Sequence, residues 1–218
     1  MKIKTLFSEQ DRQRLADAVK AAEQSTSGEI VPYIVGQSDT YPEALWRAGS
    51  LVGLSILCIF SVLYLATDLW LPFGIAEVAV FVIAGFALAV LVLALMPSLK
   101  LLLVPSSMLT QRVEERASMA FLAEEVFSTR ERTGILLFVS LLEHRVRVLG
   151  DSGINAQVRQ EEWDEIVKVI VAGMKTGRPT DALIEAIGKC GVLLEKRGVH
   201  IRPDDTDELD NTIRIHEQ

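Results

Sequence analysis

Residues 48–67 and 78–99 of this chain contain no charged side chain, whereas charges punctuate the sequence on either side of them. At 1.5 Å of rise per residue, runs of about 20 residues match a hydrocarbon core of roughly 30 Å. Backbone groups in lipid find no water partners, so a spanning run must be helical. The pattern predicts a transmembrane helical hairpin over 48–99. The first apolar run follows a long amphipathic stretch, which is not how a signal peptide is arranged. The hairpin then divides a soluble domain into residues 1–47 and 100–201, with residues 202–218 as an acidic tail.

Outside the hairpin the periodicity changes from segment to segment. Ser8 is an N-cap with Asp11 three residues on, which predicts a helix over 9–24 with Leu15, Val19 and Ala22 inward. Ile30–Val35 reads as a strand, although Pro32 lacks a ladder donor and suggests an edge position or a bulge. Pro97 and Pro105 break the chain after the hairpin. A helix follows over 108–128, with Val113, Ala117, Ala120, Phe121 and Phe127 along one face. Ile135–Val139 is a continuous apolar run, as in a strand buried on both sides. Arg145–Leu149 alternates and forms a hairpin with it. Trp163, Ile166, Val167, Ile170 and Met174 mark a helix over 161–175. Thr180 is read as the cap of a last helix, carrying Leu183, Ile187, Cys190 and Leu194 and ended by Gly198. Residues 202–218 are poor in apolar groups and read as a loose tail. Strand, helix, strand is a βαβ unit, so the first two strands are parallel and the third returns antiparallel. The fold class is α/β, a small mixed sheet flanked by helices and interrupted by the hairpin.

Charge then suggests an orientation. The connection 68–77 has Asp68 and Glu77 but no Lys or Arg, whereas Arg47, Lys100, Arg112 and Arg116 lie on the opposite flanks. The positive-inside rule places both termini and the soluble domain in the cytoplasm, with the hairpin in the inner or plasma membrane. Trp46, Tyr64, Trp70 and Phe73 are placed to sit near the interfaces. The net charge of −7 speaks against general affinity for nucleic acid or anionic lipid, and leaves room for a local basic patch. Cys58 and Cys190 fall in regions that should not meet, so both are expected free, as in a reducing compartment.

The topology brings the start of the first strand and the end of the third to one end of the sheet. Glu29 and Asp151 meet there with Thr133 close by, and oxygen-rich loops of this kind can hold Ca²⁺ or Mg²⁺. The competing reading is local: Glu29 as a cap or ion-pair partner, and Asp151 as a turn residue beside Gly150. The other end, near Asp39 and Ser140, has the strand carboxyl ends that ligands favour in open α/β sheets. Arg130 and Arg132 flank the buried strand and are candidates to meet phosphate. The acidic run 204–210 lacks the glycine and spacing of an EF-hand, and His144, His200 and His216 lack zinc-site spacing. No phosphate-cradling loop or nucleophile-elbow serine occurs.

The order of several short motifs resembles the TPM domain. Thr26-Ser27-Gly28-Glu29-Ile30-Val31 resembles its opening, and Arg132–Ser140 its second strand. Arg145–Asp151 with Gly153-Ile154 resembles the third strand and following loop, and Trp163, the helix pair and Asp207-Glu208-Leu209 extend the likeness. That family is found in thylakoid lumen and photosystem repair proteins, bacterial membrane proteins and a receptor-associated animal protein. The resemblance implies a small mixed sheet flanked by helices. It also implies acid phosphatase activity and divalent-ion binding, both attached to some members. Pro32 and the inserted hairpin depart from the basic pattern. The expected function is a membrane-anchored protein-interaction or membrane-complex maintenance module, its partners the lipid bilayer and another membrane protein. The alternative is a divalent-metal-assisted phosphatase acting on phosphate monoesters through Glu29 and Asp151.

Overall fold

The computed structural model describes residues 6–66, 74–201 and 208–217. The chain forms two compact units, Met1–Asp39 with Thr110–Gln218, and Thr40–Leu109.

The first unit is built on a four-stranded mixed sheet in the order β3-β2-β1-β4. Its strands are β1 (Ile30–Val35), β2 (Ile135–Ser140), β3 (Arg145–Gly150) and β4 (Arg214–His216). β1 runs parallel to β2 and to β4, and β3 is antiparallel to β2. Helices α1 (Glu9–Glu23), α7 (Gln160–Lys175) and α8 (Pro179–Lys196) share one core with Ile30, Ile34, Ile135, Leu137 and Val146. On the other face Val113, Ala117 and Ala120 of α5 (Ser106–Ala123) pack on Val31, Tyr33, Leu136 and Phe138. Both faces of β1 and β2 are therefore covered, and every residue in them is buried. This explains why their sequences are continuous apolar runs rather than alternating ones.

Helix ends follow local chemistry. The Ser8 hydroxyl accepts from the Asp11 N–H, and the Asp11 carboxylate accepts from the Ser8 N–H, forming a capping box. At the other end of the domain Gly198 has φ +83°, its N–H donates to Glu195 O, and the Val199 N–H donates to Leu194 O. That pair of bonds is a Schellman motif, and it fixes the end of α8.

Several expectations need correction. β1 is an interior strand with an unbroken register against β2, so Pro32 marks neither a sheet edge nor a bulge. Even-numbered β1 residues turn their backbone groups toward β4, as the Gly36 N–H donating to His216 O shows. β4 pairs only from Tyr33 onward, so the missing Pro32 donor falls where that side is still open. Residues 202–218 are not simply a loose tail: 214–216 form β4, because the parallel ladder offered by Tyr33–Val35 supplies their backbone partners. Residues 202–207, with the acids Asp204, Asp205 and Asp207, lie outside the described residues. Thr180 is not the cap of α8; it is buried inside the first turn after Pro179, whose missing N–H suits a helix start. α5 ends at Ala123 instead of reaching 128, because Glu125 takes φ +51° and closes a Schellman turn through Val126 N–H to Phe121 O.

The second unit contains α2 (Pro42–Ala66), α3 (Ile75–Leu95) and the short α4 (Pro97–Lys100). At 1.5 Å per residue the two long helices run roughly 38 and 32 Å. Both are long and apolar enough to cross a membrane, and only 17% and 6% of their most apolar stretches are buried. They pack through small residues. A Cβ on Gly49 would lie 2.5 Å from the Phe86 ring, and one on Gly85 2.4 Å from Ile56 Cδ1. Close backbone approach of this kind is the usual basis of helix pairing where lipid removes the hydrophobic driving force. Two basic residues bind carbonyls within the unit: Arg47 Nη1 donates to Leu103 O at 2.7 Å and Lys100 Nζ to Thr40 O at 2.9 Å. Asp68, Trp70 and Phe73 lie outside the described residues.

Candidate functional site

At the amino end of β1 and β2, Ile30, Ile135 and Gly150 stand in one row across three strands. Adjacent to that row the sequence supplies Glu29, Gly134 and Asp151. Strands about 4.8 Å apart set the two outer backbones roughly 10 Å from each other, with Gly134 between. Its lack of a side chain is required: a Cβ there would sit 2.0 Å from Val126 O.

Both carboxylates are buried, and each is bonded into its own surroundings. Glu29 Oε1 accepts from the Glu208 N–H at 3.1 Å, and its backbone carbonyl accepts from the Ile135 N–H. Asp151 caps α6 (Ser152–Asn155), accepting the Ser152 N–H at 2.6 Å, while its Oδ2 lies 2.8 Å from Arg132 Nε. The Arg132 backbone is held at φ +59°, and its guanidinium lies 5.5 Å from the centre of the Phe127 ring. Thr133 donates its hydroxyl to Ser27 O. A third buried carboxylate, Glu23, accepts the Ile30 N–H at 2.8 Å. Nothing in the periodicity of α1 marked it, since it occupies an ordinary last-turn position. Among the described residues, no three His, Cys, Asp or Glu side chains gather closely enough to hold a metal ion. Arg130, considered for phosphate, donates its backbone N–H to Glu208, so Glu208 joins this loop to Glu29.

At the carboxyl end of β1 and β2, a chain of polar groups closes over the strand ends. Ser38 donates its hydroxyl to Ser140 Oγ at 2.8 Å, Ser140 donates to Glu143 Oε2, and Glu143 Oε1 accepts the Ser38 N–H at 2.9 Å. Beside it, Asp39 pairs with Arg112 at 3.0 Å and Arg145 donates to Thr110 Oγ1 at 2.7 Å. Asp39 and Ser140 thus come to one end of the sheet in separate contacts. Ser38 and Glu143, 105 residues apart, lie in loops beyond the strands, and strand order does not fix how those loops close on each other. No imidazole is bonded to either serine among the described residues, so the group has the form of a stitch rather than an activated nucleophile. His216 stacks on Tyr33 with ring centres 4.7 Å apart, and burial pushes the Tyr33 phenol above its usual range.

Comparison with known proteins places this architecture. Residues 98–192 match the family model of the TPM domain, from α4 into α8. The motifs at Thr26–Val31 and Asp207–Leu209 fall outside that match. The chain is similar to the NMR structure of the BA42 protein from the psychrophilic bacterium Bizionia argentinensis, with a TM-score of 0.59 and 21% identity over 96% of this chain and 94% of that one. A likeness at that identity concerns the fold. No curated protein matches the chain.

Proposed function

We propose that this chain, whose residues 98–192 match the family model of the TPM domain, is a membrane-tethered interaction module, its α/β unit presented at the cytoplasmic face to another membrane protein. The observation that carries the reading is the insertion of two long, outwardly apolar helices into a complete soluble unit. Exposed apolar surface of that extent is costly in water and favourable in lipid. The polar groups at both ends of the sheet are bonded to one another, which suits a rigid scaffold. Cross-linking of the full-length protein in native membranes, read by mass spectrometry, tests this. The expected result is links from the α/β unit to a second integral membrane protein; links confined to the chain itself would count against it.

A second reading is favoured by one feature, the two buried carboxylates Glu29 and Asp151 on either side of Gly134. A Ca²⁺ or Mg²⁺ ion there would polarise a phosphoryl oxygen and assist hydrolysis of a phosphate monoester. Hydrolysis that depends on the divalent ion, and that Glu29→Gln and Asp151→Asn each remove, is the expected result. Activity that survives both substitutions would eliminate this site.

A further inference from the structure

A cleft of about 470 Å³ opens beside the β2–β3 turn, on the sheet face that carries α7. Its volume falls within the range of roughly 300–1,000 Å³ usual for small-molecule sites. Val139, Leu141 and Val146 from the sheet and Val171 and Met174 from α7 supply apolar walls. Its polar groups are concentrated at the mouth, where His144 and Lys175 are exposed. Ser140 also borders the cleft, but its hydroxyl is bonded to Glu143 and Ser38. The Glu143 carboxylate is held in that same chain. Arg145 extends a guanidinium nitrogen to Thr110 and adds positive potential nearby. In a chain of net charge −7, the mouth is a local concentration of basic groups.

The walls and the mouth select different parts of a ligand. A peptide entering the cleft would bring backbone N–H and C=O groups that the apolar walls cannot satisfy. An acyl chain brings none. Basic groups at the mouth favour an anionic head and add to the specificity of a largely apolar pocket. Met174, with its flexible thioether, suits a wall that must follow a flexible chain. We propose that this cleft binds a single-chain amphiphile with an anionic head, its acyl chain along Leu141, Val171 and Met174 and its head between His144 and Lys175. The inference stands on the α/β unit alone and does not require the membrane reading.

The test uses the full-length protein in phosphatidylcholine nanodiscs with dodecanoic acid bearing a diazirine at its tail. Photolysis and peptide mapping are expected to mark Leu141, Val171 and Met174. The Lys175→Glu variant, altered at an exposed position, should lower that labelling by about fivefold, the scale of one exposed ion pair. Met174→Trp should abolish it by filling the cleft. The dodecanol analogue should mark the cleft about fivefold less than the acid. Equal labelling by acid and alcohol, or labelling unchanged by Lys175→Glu, would overturn the proposal. So would labelling confined to α2 and α3. Labelling of those helices separately reports contact with lipid, so loss of that signal with the cleft still marked would strike only the membrane reading.

Discussion

Glu125 occupies a left-handed backbone conformation, φ +51°, where glycine is the favoured residue. Its side chain is exposed, so Glu125→Gly relieves the strain with little loss of packing. The variant is expected to be more stable by about 1 kcal/mol in urea unfolding of the full-length protein. Gly134→Ala should act in the opposite sense. Its Cβ meets the Val126 carbonyl at 2.0 Å, a backbone atom that cannot turn aside, so a loss of about 3 kcal/mol is expected in the same assay. Neither residue announces itself in the sequence. Gly134 reads only as the punctuation before β2, and the need for it comes from a loop that folds back across the strand end. The same limit applied to the candidate site. The placement of Glu29 and Asp151 at one end of the sheet was legible from strand order alone. The Arg132 and Glu208 contacts that occupy them were not, because they depend on loop conformation.

Elements were most legible where a cap or a long apolar face defined them. Ser8 with Asp11 located α1, and Gly198 located the end of α8. β4 escaped notice because three residues cannot display a period, and its partner strand lies far away in sequence. Two capped helix starts should be sensitive to acid. The Ser8 hydroxyl and N–H hold the Asp11 carboxyl below its ordinary value of 3.8, and the Arg159 N–H with the Arg197 side chain holds Glu162 below 4.5. A depressed folded value stabilises above the ordinary value and is lost as pH falls through the folded one. Amide exchange should therefore quicken in the first turn of α1 as pH falls below 3.8 and in that of α7 as it falls below 4.5, after correction for intrinsic rates. Asp11→Asn and Glu162→Gln should each flatten that response at their own helix. In the hairpin, Gly49→Ile with Gly85→Ile should force α2 and α3 apart, because Phe86 and Ile56 already fill the space beside the two glycines. Distances between spin labels on the two helices should lengthen and broaden relative to the unaltered protein.

For the whole molecule, the apolar runs over 48–67 and 78–99 were visible in the sequence, and the structure carries them on two helices with outward-facing apolar surfaces. What surrounds those surfaces decides the function. Leu54, Leu65, Ile83 and Leu95 are exposed on them, a surface that lipid would cover and that in water would favour association. The chain contains its own reporter. Cys58 is exposed on α2, whereas Cys190 is fully buried in the α/β unit, with its thiol pushed up to about 12 and therefore silent. The direct measurement is modification of native full-length protein in intact membranes by a sulfonated, membrane-impermeant maleimide, followed by full labelling in denaturing detergent as a reference. The expected result is that Cys58 stays unmodified until the membrane is dissolved, despite its exposure on the protein surface. Modification in intact membranes at the rate of a water-exposed thiol would contradict the membrane assignment.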